Sequence, residues 1–248
     1  MDYATALLQQ NRLLAAGLEG ADLATPVPTC PGWTLLQLLR HVGRGDRWAA
    51  QIVREGDADL DPRQVAGGRP PDDEAGALEW LRSGAATVVQ AVADAGPQTP
   101  VATLVGTRPA QWWLRRRLHE ATVHRVDAAI ARSVVPELPA DIAADGIDEW
   151  LDLLVTRPGH DGPAPLDRGQ GLTLRATDRE LAGPAWHLLG TAAGIERTDS
   201  SARPDLTVAG PAADLFLTMV RRLPVGQSQV RVDGDPGLWE AWLARTPL

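Results

Sequence analysis

Apolar residues recur at helical spacing through the first half of the chain. The first 20 residues carry leucines near every third or fourth position, namely Leu7, Leu8, Leu13, Leu14 and Leu18. Such spacing places the leucines on one face of an α-helix. Comparable patterns between breakers rich in Gly, Pro and Asp predict long helices over residues 3–18, 34–53, 73–95 and 109–133. Four long helices predict a helical bundle, and one more helical stretch is predicted over 140–155.

The second of these helices has an unusually clear start. Thr34 and Gln37 form a capping-box pattern, and Trp33 and Leu38 stand at the two positions of a hydrophobic staple. Because the start is fixed at Thr34, His41 is predicted to lie two turns inside a helix whose other positions are largely apolar.

The periodicity of the chain changes after residue 171. Residues 157–171 are dense in Pro, Gly and Asp and are predicted to contain the domain boundary, which gives domains 1–157 and 158–248. Beyond the boundary, strands are predicted over 172–176, 205–208 and 229–232, and helices over 212–222 and 236–244. We therefore predict a two-domain chain, with an N-terminal four-helix bundle and a small C-terminal α+β domain.

Composition excludes several functional classes. The 248 residues are 44% hydrophobic and carry a formal net charge of −8, which argues against nucleic acid as a partner because phosphate binding requires Lys and Arg. No apolar run reaches the roughly 18–20 residues needed to span a bilayer, and the first 20 residues are typical of an amphipathic helix rather than a signal peptide. We therefore expect a cytoplasmic protein with no membrane partner.

The chain has a single cysteine, Cys30. One cysteine excludes an internal disulfide framework and a metal site built on several thiolates. Cys30 has no cationic neighbours in the sequence that would activate its thiol, so we expect it to be buried and inert. If the chemistry needs a thiol, a cosubstrate has to bring it.

The predicted fourth helix contains the most informative polar pattern. Glu120 and His124 are four residues apart and share one helical face, on which Arg117 and Asp127 continue the stripe. The segment reads H-E-x-x-x-H, one residue longer than the zinc-protease motif. His119 and His124 therefore diverge, and Glu120 with His124 is the natural pair of metal ligands. A solvated ladder of surface ion pairs is the alternative interpretation.

A third ligand has to come from another helix, and His41 is the best candidate. The alternative is a histidine that is simply buried in the core. Two histidines and one carboxylate form a site that both zinc and ferrous iron use, so ligand type leaves the metal open. Asp127 either orients His124 from behind or pairs with Arg117 or Arg125.

These motifs resemble a known family over nearly the whole chain. They are Pro31-Gly32-Trp33-Thr34, His41, and Arg117-x-x-Glu120-x-x-x-His124-x-x-Asp127. The pattern is similar to the amino-terminal domain of mycothiol-dependent maleylpyruvate isomerases, a branch of the DinB-like four-helix bundles. The resemblance implies a divalent metal held by His41, Glu120 and His124, with zinc as the first expectation and iron, nickel or manganese as alternatives.

The carboxy-terminal half resembles the second domain of the same family, which is similar to a sterol carrier fold. The segments that carry this resemblance are Asp205-Leu206-Thr207-Val208-Ala209-Gly210-Pro211 and Val232-Asp233-Gly234-Asp235. The family often has Gly-Arg ahead of a turn, with the Arg implicated in catalysis. Here Arg221 stands where Gly is usual, so the resemblance implies a catalytic role for Arg222. A solvated helix end with two cations is the alternative.

The resemblance implies mycothiol as cosubstrate and a small electrophile as substrate. The metal would favour the thiolate. In an isomerase the thiolate would add to a cis double bond, the adduct would rotate about the resulting single bond, and elimination would release the trans product. Arg222, with Arg117, would hold a carboxylate or the developing enolate charge. Irreversible S-transfer to an electrophile and a non-catalytic carrier or sensor are the other hypotheses. The sequence specifies no oligomeric state.

Overall fold

A computed structural model describes residues 1–56, 59–156, 162–181, 183–199 and 204–246. The chain divides into two compact units, Met1–Pro136 and Glu137–Leu248. The first unit contains four long helices, α1 (Tyr3–Leu18), α2 (Leu35–Glu55), α3 (Glu74–Ala95) and α4 (Gln111–Ala131). A short antiparallel hairpin, β1 (Pro100–Thr103) and β2 (Gly106–Pro109), precedes α4.

Side-chain caps fix where three of these helices begin. Asp2 accepts a hydrogen bond from the backbone of Thr5 at the start of α1, and Asp73 does the same at the start of α3. The predicted capping box of α2 is confirmed, because the Thr34 side chain accepts from the Gln37 backbone and the Gln37 side chain accepts from the Thr34 backbone. These caps satisfy N–H groups that a helix cannot pair internally.

The core of the first unit is made by the apolar stripes of the four helices. Helix α1 packs against α3 and α4, and α2 packs against α3 and α4. The stripes bury large side chains completely, among them Leu7, Leu14, Leu38, Leu39, Leu81 and Leu118. Each buried leucine contributes about 1.5–3 kcal/mol. This packing sets the spacing of α2 and α4, the two helices that carry the candidate metal ligands.

The second unit is a small α+β fold. It contains α5 (Ala140–Thr156), α6 (Ala212–Met219) and α7 (Pro236–Arg245), with strands β3 (Gly171–Ala176), β4 (Ala185–Thr191), β5 (Gly194–Thr198), β6 (Leu206–Gly210) and β7 (Arg231–Gly234). The strands form one sheet in the order β5-β4-β3-β6-β7. Strands β3 and β6 are parallel, and the other neighbours are antiparallel.

The predicted fold class is confirmed as a helical N-terminal part followed by an α+β part. The division between the compact units lies after Pro136, ahead of the boundary that we predicted at residue 157. The reason is that α5 packs with the second unit, where Asp148 accepts hydrogen bonds from Trp186 and Arg197. Residues 157–161, at the predicted boundary, lie outside the described residues.

Several elements differ from the sequence predictions. The hairpin β1–β2 lies in a segment that we predicted to be a plain connection, and β4 and β5 were not predicted. The predicted helix over 212–222 ends earlier, at Met219, because Arg221 adopts a left-handed backbone with φ of 60°. None of the helices in the described parts of the chain has the length and apolar character needed to cross a bilayer.

Candidate metal centre

Helices α2 and α4 bring the three predicted metal ligands together. His41 projects from α2, and Glu120 and His124 project from adjacent turns of α4. The Oε2 atom of Glu120 lies 3.4 Å from Nε2 of His41 and 3.6 Å from Nε2 of His124. One ligand atom from each residue can be chosen so that all three lie within 4.8 Å of one another.

The spacing of these atoms fits a divalent metal. Zinc ligands at about 2.0–2.1 Å in tetrahedral geometry lie about 3.3–3.4 Å from each other, close to the two separations around Glu120. The side chains of His41, Glu120 and His124 are 42%, 26% and 10% exposed. The cluster is therefore open on the His41 side and closed behind His124, as a site that must admit a ligand requires.

Asp127 fixes the orientation of His124. Its Oδ2 atom lies 2.9 Å from Nδ1 of His124, and its Oδ1 atom accepts a 2.5 Å hydrogen bond from the hydroxyl of Thr29. Asp127 is completely buried. Because Nδ1 is engaged by the carboxylate, Nε2 is the atom left to face Glu120 and a metal.

Charges around the cluster set the protonation of its members. Burial lowers the pKa of His124, but hydrogen bonds, first of all to Asp127, outweigh burial and raise the pKa to about 10. Burial also lowers the pKa of His41, and the opposing hydrogen bond to Glu120 does not reverse the shift. Burial favours the protonated form of Glu120, but Arg116 and the two histidines hold its pKa well below the ordinary value. Glu120 is therefore a charged carboxylate, the form that binds metal.

Two arginines of α4 contact Glu120 in different ways. Arg116 donates a 2.7 Å hydrogen bond from Nη2 to Oε1 of Glu120. Arg117 lies deeper, with its side chain 5% exposed, and its Nη1 atom is 4.0 Å from Oε2 of Glu120. Nε of Arg117 donates to Oδ1 of Asp46 at 2.8 Å, and Nη2 donates to the carbonyl of Val42 at 3.0 Å. Arg117 is thus anchored to α2 as well as to the cluster.

A cavity of about 540 Å³ opens beside the cluster within the first unit. His41 and Glu120 line it, together with three tryptophans and four arginines, which are Trp33, Trp48, Trp113, Arg40, Arg44, Arg116 and Arg117. The Trp33 ring centroid lies 4.9 Å from that of His41 and 5.9 Å from that of His124. The cavity therefore has an aromatic wall beside the candidate ligands and a cationic lining.

The structure places the two arginines that we predicted to be catalytic in different units. Arg117 belongs to the first unit and lines the cavity beside the cluster. Arg222 belongs to the second unit, in the turn after α6, where its Nη1 donates to the carbonyl of Val220 at 2.8 Å. The left-handed backbone at Arg221 is one that glycine adopts freely. The conformation thus agrees with the Gly-Arg pattern at Arg221 and Arg222, and the catalytic role of Arg222 stays a prediction.

Sequence reasoning missed several residues that shape the site. Thr29, Asp46 and Arg116 were not selected, although an acidic residue such as Asp46 within an apolar helix is a signal of a buried partner. Cys30, expected to be buried and inert, is half-buried and places Sγ 3.4 Å from Oδ2 of Asp127. For Asp127, the predicted contact with His124 is observed.

Comparisons with known proteins cover both units. Residues 4–129 match the mycothiol maleylpyruvate isomerase N-terminal domain, and residues 141–241 match the MDMPI C-terminal domain. Curated protein sequences give no significant match. Crystal structures of the mycothiol-dependent maleylpyruvate isomerase and of a histidine-to-alanine mutant of it each align with a TM-score of 0.55 at 19% identity, over 94% of this chain and 92% of theirs. The chain therefore belongs to the mycothiol maleylpyruvate isomerase family, as the sequence motifs predicted, and is an enzyme.

Proposed function

We propose that this protein is a metal-dependent enzyme that uses mycothiol as cosubstrate and adds its thiol to a small electrophile. His41, Glu120 and His124 would hold the metal. The observation that carries the proposal is the cluster of two imidazoles and one carboxylate, spaced for a divalent ion at the edge of a cavity of about 540 Å³. Family membership favours an enzyme over the carrier or sensor considered from the sequence.

The chemistry that a divalent metal would supply here is Lewis acidity, which favours the thiolate form of a thiol at neutral pH. The protein residues prepare the site for it. Asp127 holds His124 with Nε2 forward, and Arg116 keeps Glu120 charged. Zinc is the first candidate for a site with these ligands, with iron, nickel or manganese as alternatives.

The cavity lining indicates how an electrophile with a carboxylate would be bound. Arg40 and Arg44 project from α2 one turn apart and line the same cavity as His41. A guanidinium binds a carboxylate through two parallel hydrogen bonds, and the indoles of Trp33 and Trp48 reduce the water around it. Arg117 is paired with the buried carboxylate of Asp46, whereas Arg44 donates a hydrogen bond from Nε to the carbonyl of Gly68. Within the first unit Arg40 and Arg44 are therefore better placed than Arg117 to contact a substrate carboxylate.

We propose cis-trans isomerisation of a maleylpyruvate-type acid as the first reaction to test, because the matched family takes its name from it. In that reaction the thiolate adds to the cis double bond, the adduct rotates about the new single bond, and elimination returns the thiol with the trans product. An S-transferase would use the same ligands but release the thioether adduct. Arg222 is proposed to bind a substrate carboxylate or enolate oxygen in either reaction.

The metal site is tested by elemental mass spectrometry of purified protein loaded with zinc. We expect near one metal per chain in the wild type and its loss in His41→Ala, Glu120→Ala and His124→Ala. His187→Ala, which removes a histidine from the second unit, is the matched control and should retain metal. Circular dichroism checks the fold of each variant. Metal retained in folded ligand variants, or absent from the wild type with each of zinc, iron, nickel and manganese, would refute the site.

The reaction is tested with metal-loaded protein, mycothiol and maleylpyruvate. An isomerase leaves the thiol concentration unchanged while the ultraviolet spectrum of the acid changes, whereas a transferase consumes one thiol for each electrophile. Arg222→Lys and Arg222→Ala are compared at the same metal content. If Arg222 binds the substrate, kcat/KM falls in Arg222→Ala and metal content does not. Unchanged kcat/KM would remove Arg222 from the proposal.

A further inference from the structure

The sheet of the second unit has one apolar face and one polar face around strands β3, β6 and β7. Leu172, Leu174 and Val208 are fully or almost fully buried on the apolar face. Side chains alternate between faces along a strand, so the residues between them point to the opposite side. There a cleft of about 480 Å³ is lined by Arg175, Thr177, Thr207, Ala209, Arg231 and Asp233.

Two arginines face each other across this cleft. Arg175 on β3 is in register with Ala209 on β6, and Ala209 is in register with Arg231 on β7. Strands lie about 4.8 Å apart, so the two Cα atoms are separated by about 10 Å with only a methyl side chain between them. Both arginine side chains are long enough to reach over Ala209 to one bound group.

Neither guanidinium is neutralised within the part of the chain that the structure describes. Arg175 and Arg231 make no hydrogen bond or ion pair with any residue in that part, and both are exposed. The protein as a whole has a formal net charge of −8. Two arginines and one carboxylate, Asp233, line the cleft. The cleft therefore carries an excess of positive charge on an acidic protein, and such a surface attracts an anion.

The cleft runs along the polar face of the parallel pair β3 and β6. It extends from Thr207, in register with Asp233, to the last register pair, Ala176 with Gly210. The short side chain of Ala209 leaves the floor of the cleft low between the two arginines.

The remaining polar groups of the cleft indicate the chemistry of the rest of the ligand. Asp233 is in register with Thr207, two residues along the strands from the arginine row. Asp233 repels an anion placed against it and accepts hydrogen bonds from hydroxyl groups. Thr207 and Gln229 line the same cleft and can donate or accept. A ligand with an anionic group at one end and hydroxyl groups at the other can therefore bind the two arginines and the Asp233–Thr207 pair at the same time.

We propose that this cleft is a binding site for a small polyhydroxylated anion. Arg175 and Arg231 bind its phosphate or carboxylate from both sides, and Asp233 and Thr207 bind its hydroxyl groups. The site lies wholly in the second unit, and its existence does not depend on the metal centre or on the reaction proposed above.

The site is tested by titrating the full-length chain, uniformly labelled with ¹⁵N, at constant ionic strength. Glucose 6-phosphate and gluconate are the two anionic probes, and glucose is the neutral one. We expect saturable shifts of the Ala209 and Gly210 amides with at least one anionic probe and none with glucose. Tighter binding of the first probe identifies phosphate as the preferred group, and tighter binding of the second identifies carboxylate.

Variants decide whether the two arginines are responsible. Arg175→Gln and Arg231→Gln keep part of the alkyl chain, remove one charge each and should weaken binding at least tenfold. Arg168→Gln removes the same charge from an exposed position of the second unit that does not line the cleft, and should bind like the wild type. The proposal is overturned by shifts that do not saturate, by wild-type affinity in either cleft variant, or by equal weakening in Arg168→Gln.

Discussion

Helices α2 and α4 are equally long, yet they are built on opposite principles. Helix α2 starts with a complete capping box and buries an apolar face in which Asp46 is the one charged residue. Helix α4 starts after Ala110, which provides no side-chain cap, and buries residues around most of its circumference. Six of its buried residues are polar or charged, namely Arg116, Arg117, His119, Thr122, His124 and Asp127.

The buried polar residues make α4 the less stable of the two helices by itself. A buried polar group is unfavourable unless it is paired, so α4 depends on partners that neighbouring segments provide. Asp46 on α2 pairs with Arg117, Thr29 pairs with Asp127, and Gln10 on α1 accepts from Arg125. Elements that break the local rules for a stable helix are those expected at functional sites. Helix α2, the frame of the site, provides a stable packed helix and one candidate ligand, whereas α4 provides most of the polar residues of the site.

The largest effect on stability is expected from loss of the ion pair between Arg117 on α4 and Asp46 on α2. Arg117→Met leaves the carboxylate of Asp46 buried without its cation, and removal of one partner of a buried pair costs about 3–5 kcal/mol. Asn11 continues to donate to Asp46 at 2.6 Å, which is not enough to replace a charge. The free energy of unfolding of the metal-free protein, measured in urea, checks this value.

A double variant separates the lost charge from the lost packing. Asp46→Leu combined with Arg117→Met removes both charges, and apolar replacement of a buried ion pair is often neutral. We expect the double variant to recover most of the stability lost in Arg117→Met. If both variants were equally destabilised, the pairing between α2 and α4 would not be the cause.

A smaller effect, measured on metal binding, is expected at Asp127. Asp127→Asn removes the charge that orients His124, and such a change behind a metal ligand lowers affinity about 10–100-fold, or about 1.4–2.7 kcal/mol. Competition with a chromophoric chelator measures the affinity.

In the metal-free wild type His124 is a positively charged imidazolium at neutral pH. Burial lowers its pKa, but hydrogen bonds, of which the one to Asp127 is the strongest, raise it to about 10. In Asp127→Asn we expect the pKa to fall, which ¹⁵N resonances of the imidazole report directly.

Gly45 tests how closely α4 is fitted against α2. A Cβ atom at Gly45 would lie 2.7 Å from both Nη atoms of Arg117. Gly45→Ala should therefore displace the guanidinium and destabilise the protein by about 1–2 kcal/mol despite the better helix propensity of alanine. Gly17→Ala in α1 is the matched control, because a Cβ there has no neighbour within 4 Å and should be neutral or stabilising. Equal stability of the two variants would show that Arg117 moves freely.

The same contrast explains how much could be predicted from the sequence. The bounds of α1 follow directly from its leucine spacing, and α2 follows from its capping box. Glu120, His124 and Asp127 could be selected because helical spacing alone places them on one face. Local rules of this kind act within a few residues and need no knowledge of the fold.

The features that escaped prediction depend on contacts distant in sequence. The pairing of Thr29 with Asp127 joins residues 98 apart, and that of Asp46 with Arg117 joins residues 71 apart. Strands β4 and β5 are defined by their pairing with each other and with β3, more than by their own patterns. The assignment of α5 to the second unit likewise depends on Asp148 meeting Trp186 and Arg197.

The smallest effect is expected at the cap of α2, where the frame can be weakened without touching the site. Thr34→Ala removes a hydroxyl that accepts from the Gln37 backbone at 3.5 Å, a long hydrogen bond, so the cost should lie near the lower end of the usual range, about 0.5–1 kcal/mol. Metal affinity should not change, because the core packing of α2 holds His41 in place. At the corresponding position of α4, Ala110→Ser should give no gain, because Ala110 is fully buried in a helical conformation that does not present a side chain to the first turn. Urea unfolding of both variants measures the two effects. A loss of metal affinity in Thr34→Ala would mean that the cap, and not the core packing of α2 alone, holds His41 in place.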